Sequence, residues 1–336
     1  MSPWLIITIK TMHDQGEFLS CDWGTSSFRL KLVKIAGLEI IAESSTTNGI
    51  ARTYELWKRM NEPEENRFAF YARNISHQIE KIGQQTGRSM DNIPVIISGM
   101  ASSNIGMIEL PYKKIPFKLN GSDLLMQRYA ATENFKHDVL IISGISGDQD
   151  VMRGEETQIT GIENIPSGDW ICILPGTHSK HVKVKNGLVV DFKTFMTGEF
   201  FELLSTKSIL AGSIEKGADP ANKNNLSAFE KGIRTGIESN LLHSSFIART
   251  NILFNKLSRQ ENYYWLSGLL IGAELTELTH LHEYNIVIVG NQEQLLSYKA
   301  AFEILNQLAK TPIPVLQDSD KAIIRGQSRA MMNQKK

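Results

Sequence analysis

The sequence predicts an α/β protein built from two similar domains, and two observations carry that expectation. A buried strand runs into Asp22-Trp23-Gly24-Thr25-Ser26-Ser27 and continues, past the corner, as a second strand. Much later the apolar run Trp170-Ile171-Cys172-Ile173-Leu174 breaks at Pro175-Gly176-Thr177-His178-Ser179 before another alternating strand. After each corner the chain follows the same coarse order, three strands and then alternating helix and strand.

The first half reads β-β-β-α-β-α-β. Phe18–Cys21 is a buried strand, Phe28–Val33 alternates, and Leu38–Ala42 follows a turn at Gly37. Helix signals begin near Pro63, and Phe68, Tyr71, Ile75, Ile79 and Ile82 recur at helical spacing until Gly87. That stripe is a packing face. Pro94–Ser98 is a short strand that opens into the loop Gly99–Gly106 and then Pro111-Tyr112. Loops of that length in compact domains are often functional. Asp123–Ala131 reads as a helix and Asp138–Ile142 as a strand.

The second half repeats the order. Strands are expected over 170–174, 180–185 and 188–193, the latter two joined by an Asn186-Gly187 turn. A helical region follows from Thr197 to about Leu278, with breaks near Asp219-Pro220 and at Gly236. Gly268 and Gly272, four apart, suit close helix packing. Then come a strand over 285–289, a helix over 292–308, a strand over 313–315 and a last helix from Ser319. The expected domains are 17–150 and 151–334, with a helix over 151–163 as hinge and the last helix packing back on the first domain. Each domain should hold a five-stranded mixed sheet, with Gly24 and Gly176 facing one cleft.

Composition narrows the class. At 336 residues the chain is long enough for two domains, and its 41% hydrophobic content is ordinary for a globular protein. A net charge of +0 points away from nucleic acid and anionic membranes as partners. Cys21 and Cys172 each fall in a buried strand at matching places in the two halves, which argues against a disulfide and for a reducing, cytoplasmic setting. Trp4-Leu5-Ile6-Ile7 is too short to span a membrane, and no positive region precedes it. Residues 1–16 read as a frayed extension or the product of an upstream start. A homodimer is left open.

The corners suggest chemistry. Gly24, Thr25 and Ser26 bring hydroxyls and backbone N–H groups to one place, which can hold a phosphate group. Asp22 can hold a hydrated Mg²⁺ beside it, because Mg²⁺ takes one or two protein carboxylates and keeps its waters. The plain alternative is a hairpin with an incidental acid. Two such corners in one chain suggest two domains facing one nucleotide.

This order, taken twice with a phosphate corner in each copy, resembles the acetate and sugar kinase/Hsp70/actin superfamily. There ATP lies in the interdomain cleft between two ribonuclease-H-like domains, the actin-like ATPase fold. Within it, several stretches look like the 2-dehydro-3-deoxygalactonokinase family. They are Asp22-Trp23-Gly24-Thr25-Ser26, then Ser98-Gly99-Met100 with Pro111-Tyr112, and Val151-Met152-Arg153-Gly154-Glu155-Glu156-Thr157-Gln158. Leu174-Pro175-Gly176-Thr177-His178-Ser179-Lys180, Asp191–Glu199 and Leu266–Glu274 complete the set.

The resemblance implies ATP- and Mg²⁺-dependent phosphorylation of 2-dehydro-3-deoxy-D-galactonate, a small sugar acid, on its 6-hydroxyl in galactonate breakdown. A kinase of a related sugar or sugar acid, an actin- or Hsp70-like ATPase, and an inactive sugar-acid sensor are the competing readings. The implied general base is an acid ahead of the second corner. Gly147-Asp148-Gln149 resembles the base-bearing segment of glycerol kinase, so Asp148 leads, with Asp150 and Glu155 as rivals. For both aspartates the structural alternative is helix N-capping. The phosphate would meet Gly24, Thr25 and Ser26 on one side and Gly176, Thr177, His178 and Lys180 on the other. Arg153 is the candidate partner of the substrate carboxylate, since a guanidinium pairs bidentately with it, or else a structural partner of Glu155 or Glu156. Gly99, Ser102, Ser103 and Asn104 would hold hydroxyls. Glu199 would do the same or merely sit in a helix's first turn. Gly290 and Asn291 would approach the adenosine, although the superfamily usually has two glycines there and this chain has one.

Overall fold

The computed structural model describes residues 16–333 apart from 62, 165–167, 218, 220 and 282. Of the expected extension over residues 1–16 all but Gly16, and of the expected break at Asp219-Pro220 the proline, lie outside the described residues. The chain divides into two compact units. One comprises the residues up to Glu163 with those from Asp320 onward, and the other is Asn164–Ser319.

In the first unit, β1 (Glu17–Trp23), β2 (Phe28–Lys34) and β3 (Glu39–Thr46) form an antiparallel meander. Two helices follow, α1 (Ile50–Met60) and α2 (Arg67–Thr86). The chain then returns as β4 (Val95–Gly99), parallel to β1. After β5 (Met126–Tyr129), β6 (Val139–Ile142) joins parallel to β4. The sheet order is β3-β2-β1-β4-β6-β5. Tyr71, Ile75, Ile79 and Ile82 of α2 pack on Leu19, Cys21, Leu30 and Leu32, so the helical stripe is core. Gly87 ends α2 with φ +67°, a left-handed turn that glycine adopts without a Cβ clash.

Four expectations for this unit need correction. Helix α1 was not foreseen. Asp123–Ala131 is not a helix, because Met126–Tyr129 pairs antiparallel with Val139–Ile142 as an edge strand, held by an Arg128–Asp138 ion pair at 2.7 Å. The sheet edge supplies hydrogen bonds that outweigh the helix propensity of Leu-Leu-Met-Gln. The sheet accordingly has six strands rather than five. The hinge helix over 151–163 is a short strand at Val151–Met152, a turn, and α3 (Glu155–Thr160).

The units divide after Glu163, whereas the sequence reading set the boundary after Asp150. Packing explains the difference. A Cβ on Gly161 would come within 1.8 Å of the Ala322 carbonyl oxygen, and one on Gly326 within 1.9 Å of the Thr157 carbonyl oxygen. These glycines let the α3 segment and the last helix, which spans Ser319–Asn333, touch backbone to backbone.

The second unit opens with its own meander, β7 (Trp170–Leu174), β8 (Ser179–Lys185) and β9 (Leu188–Phe195). Asn186 and Gly187 turn β8 into β9 with φ of 49° and 73°, the conformation that the right-handed strand twist favours. Helices α4 (Thr197–Thr206), α5 (Lys223–Glu238), α6 (Leu241–Ser245), α7 (Ile247–Leu253) and α8 (Arg259–Leu275) follow. Next come β10 (Asn285–Gly290), α9 (Gln292–Ala309) and β11 (Val315–Asp318), which starts two residues later than expected. Within this unit the sheet order is β11-β10-β7-β8-β9.

Gly236 does not break the helical region but lies inside α5. A Cβ there would meet the Leu269 carbonyl oxygen at 2.2 Å, and one on Gly272 would meet that of Ile233 at 2.3 Å. Helices α5 and α8 therefore pack through glycines on both sides, as the 268/272 spacing suggested. No helix among the described residues is long and apolar enough to cross a membrane.

Candidate active site: two corners and the segments that brace them

In the first unit, β1 ends at Asp22-Trp23 and the chain turns through Gly24–Ser27, with the Gly24 N–H donating to the Ser27 carbonyl at 2.9 Å. The first amides of α1 close on this turn. Ile50 N–H donates to the Gly24 carbonyl at 2.9 Å and Ala51 N–H to that of Thr25 at 3.1 Å. Gly49 makes the approach possible, since a Cβ there would lie 2.3 Å from the Thr25 carbonyl oxygen. Sequence reasoning missed Gly49. A helix start directly after a glycine was the available signal.

The amides of Thr25 and Ser26 donate to no backbone carbonyl among the described residues. That is the donor set an anion needs. Asp22 stands beside them with its side chain 23% exposed, 3.6 Å from the Arg29 guanidinium, which also reaches Asp320 at 3.5 Å. Burial pushes the Asp22 carboxyl up to about 6, against the pull of Arg29. No cluster of three or more acids, histidines or cysteines able to cage a metal exists among the described residues. A single carboxylate holding a hydrated Mg²⁺ is compatible with this donor set, and a dehydrated cation is not.

Two glycine-dependent segments stack beside Asp22. Gly99, at φ +92°, would place a Cβ 2.6 Å from the Trp23 carbonyl oxygen and 3.5 Å from Asp22 Oδ1. Gly154, at φ +114°, would place one 3.1 Å from Gly99 Cα. Glu155 follows directly, and its charge is close enough to contribute to the raised Asp22 value. The Glu155 carboxylate accepts the Arg153 N–H at 3.0 Å, and that of Glu156 accepts the Gly154 N–H at 2.7 Å. Glu156 is wholly buried. Burial, then the neighbouring Glu155 charge, push its carboxyl up to about 8.

Asp148 and Asp150 are placed differently. Ile145–Ser146 and Val151–Met152 pair antiparallel, and Gly147–Asp150 is the tight turn between them, closed by Gly147 N–H to the Asp150 carbonyl at 2.8 Å. Neither aspartate caps a helix; α3 starts later, behind Gly154. Asp148 is exposed at the hairpin tip and Asp150 half-buried.

The Arg153 guanidinium bonds the loop that begins at Gly99. Its Nη1 donates to the Ser102 carbonyl and hydroxyl, both at 2.6 Å, and its guanidinium lies 4.1 Å over the Tyr112 ring. Nη2 makes only a long contact of 3.4 Å to the Leu110 carbonyl. The 99–106 loop is not an ordinary surface loop. Ser102 and Ser103 are buried and Tyr71 donates to the Ile105 carbonyl at 2.6 Å, while Asn104 is exposed.

The second unit repeats the corner with other means. Gly176, Thr177 and His178 lead into β8, and their amides donate to no backbone carbonyl among the described residues. Helix α4 packs on this turn. Glu199 N–H donates to the Thr177 carbonyl at 3.0 Å, and His178 Nε2 donates to Glu199 Oε2 at 2.5 Å. Glu199 is thus both a first-turn acid and a partner of the corner histidine. Lys180 is not a solvated charge. It is buried, with Nζ 3.4 Å from the His178 carbonyl oxygen.

Beside the corner is a cavity of about 710 Å³, lined by Gly176, Gly198, Phe201, Tyr263, Gln294 and Tyr298 among others. It is largely apolar with a few polar groups, the character of a small-molecule site. Gly290 and Asn291 do not line it. Asn291 caps α9 in a reciprocal capping box with Gln294, whose Nε2 donates to the Pro175 carbonyl at 2.9 Å. The cavity wall includes Glu293, two residues beyond the expected adenosine contact at Gly290 and Asn291. The apolar recess thus adjoins the turn that carries the Gly176, Thr177 and His178 amides.

The chain is similar to known proteins over most of its length. The family model for 2-keto-3-deoxy-galactonokinase matches residues 22–330. The 2-dehydro-3-deoxygalactonokinase of Escherichia coli (strain K12) is 30% identical over 224 residues, 64% of this chain and 72% of the relative. A probable 2-dehydro-3-deoxygalactonokinase of Rhizobium meliloti (strain 1021) is 29% identical over 273 residues, 79% of this chain and 81% of the relative. The crystal structure of a candidate 2-dehydro-3-deoxygalactonokinase from Sinorhizobium meliloti superposes with a TM-score of 0.74 at 26% identity, covering 93% of this chain and 95% of that one. With the strand order of both sheets, the paired corners and a family match over nearly the whole chain, the protein belongs to the 2-keto-3-deoxy-galactonokinase family, on the actin-like ATPase fold.

Proposed function

We propose that this kinase transfers the γ-phosphoryl group of ATP to the 6-hydroxyl of 2-dehydro-3-deoxy-D-galactonate. The observation that carries the proposal is the family match over residues 22–330, which includes every segment described around Asp22 and Gly176. Mg²⁺, when bound, neutralises charge on the transferring phosphoryl group.

The chain's own residues then position and exclude. Asp22 orients the waters of the metal, and the Thr25 and Ser26 amides meet phosphate oxygens. In the second unit the amides of Gly176, Thr177 and His178 do the same. Glu199 keeps His178 turned to the corner, which gives Glu199 a role on the phosphate side rather than at the sugar. The apolar cavity takes the adenosine.

For the base, the surroundings favour Glu155 over Asp148 and Asp150. Glu155 lies within electrostatic reach of Asp22 and follows the Gly99–Gly154 contact, whereas Asp148 is at an exposed hairpin tip. Arg153 holds the 99–110 segment in shape through Ser102 and Leu110, and its weakly engaged Nη2 is the donor assigned to the substrate carboxylate. With Ser102 and Ser103 buried, Asn104 is the member of that loop best placed to meet a hydroxyl.

The test is ADP release across a panel of 2-keto-3-deoxy sugar acids and simple sugars, with and without Mg²⁺, with the phosphorylated carbon located by NMR. The expected result is the highest kcat/KM for the galactonate derivative, with phosphate on carbon 6. A better acceptor elsewhere in the panel overturns the substrate assignment. ADP release that ignores the acceptor overturns the sugar-acid kinase reading altogether.

A further inference from the structure

Glu274 lies on α8, away from both corners in sequence, and its side chain is almost wholly buried. Four side chains from three other elements of the second unit, β8, α4 and α9, donate to this one carboxylate. Ser179 Oγ donates to Oε1 at 2.7 Å and His181 Nε2 to the same oxygen at 2.9 Å. Tyr298 Oη donates to Oε2 at 2.7 Å, and Thr197 Oγ1 donates to Oε2 as well. A carboxylate has about four lone-pair sites, so its acceptor capacity is filled. A protonated acid would have to give up one of these accepted bonds to donate its own proton. Burial alone would push the carboxyl up, but the His181, Thr197 and Ser179 donors outweigh it and hold the group below its ordinary range.

The donors are distributed in a telling way. Ser179 is the residue after the Gly176-Thr177-His178 turn. Thr197 opens α4, whose next residue, Gly198, would place a Cβ 2.6 Å from the Gly176 carbonyl oxygen. Tyr298 is part of the cavity wall. One buried charge therefore ties the strand leaving the corner, the helix pressed on the corner and the wall of the adjoining cavity.

We propose that Glu274 is the positioning residue of the second corner, setting the spacing between its amides and the cavity and so the affinity for nucleotide. The inference rests on the reading above that this corner and cavity take ATP. An amide at 274 has one acceptor oxygen, which cannot satisfy four donors, so the corner loses its common anchor.

The experiment is calorimetric binding of ATP and ADP to the whole chain, alongside sugar-acid KM, kcat and the melting temperature. Glu274→Gln should weaken ATP binding by at least tenfold with the sugar-acid KM unchanged within about twofold. Ser179→Ala removes one donor without entering the cavity and should weaken ATP binding about threefold, which keeps the test open if Glu274→Gln does not fold. Leu305→Ala, a truncation in the core of the same unit, controls for lost stability and should leave ATP affinity unchanged. If the parent binds ATP and both Glu274→Gln and Ser179→Ala bind it equally well, the positioning role is wrong while the kinase reading stands. If Leu305→Ala weakens ATP binding as much as Glu274→Gln, the effect is stability alone and the positioning role is equally wrong. If the parent binds no ATP, the reading of the corner fails, and this inference with it.

Discussion

Gly198 stands against the backbone of Gly176, where a Cβ would come 2.6 Å from the carbonyl oxygen and 2.8 Å from Thr177 Cα. No L side chain fits there without shifting the turn that carries the corner amides. Gly198→Ala should therefore raise the KM for ATP by about tenfold or more while lowering stability by roughly 1–3 kcal/mol, the usual cost of an overpacked contact. Initial rates at varied ATP, with thermal melts in parallel, check this. An unchanged KM would mean that the turn does not touch nucleotide.

Asp22→Asn should impair turnover mainly through the metal. Its carboxyl is partly exposed and serves no core contact, so the melting temperature should move little, while activity at limiting Mg²⁺ drops about 10²-fold, as for loss of a group aimed at transition-state charge. Magnesium titrations of parent and variant give the answer. Parent-like turnover at limiting Mg²⁺ refutes the assignment.

The three candidate bases separate by substitution. Glu155→Gln should lower kcat by ~10²–10⁴-fold with nucleotide affinity retained. Asp148→Asn and Asp150→Asn should stay close to the parent, because the hairpin turn they occupy is closed by backbone groups. A dead Asp148→Asn variant beside an active Glu155→Gln would reverse the roles and leave the family unaffected.

Glu156 predicts a pH dependence of stability. Its folded carboxyl is raised from an ordinary 4.5 to about 8 by burial and the Glu155 charge. The folded state thus keeps a proton that the unfolded chain releases. The contribution is complete below about 4.5 and is lost as pH rises through about 8. Its size is on the order of a few kcal/mol. Melting temperatures from pH 5 to 9 should fall more steeply for the parent than for Glu156→Gln, whose amide cannot titrate. Parallel curves would show that Glu156 is ionised in the fold.

What the chain's own sequence determined was local and periodic. The strands of both meanders, the α2 stripe and the Asn186-Gly187 turn follow from spacing that any neighbour would respect. Both corners were visible because a buried strand must end before Gly-Thr can turn. The tertiary structure decided whatever depended on a neighbour. Met126–Tyr129 became a strand because a sheet edge was open beside it, and α1 was recruited by the carbonyls of Gly24 and Thr25. Asp148 and Asp150 left the helix-cap role because Ile145–Ser146 found Val151–Met152 as a hairpin partner. Glu274 closed one of the family-like stretches, Leu266–Glu274, but nothing in the spacing gave it a role. Only packing brought Ser179, His181, Thr197 and Tyr298 to it, since a buried charge is stable only where several donors converge.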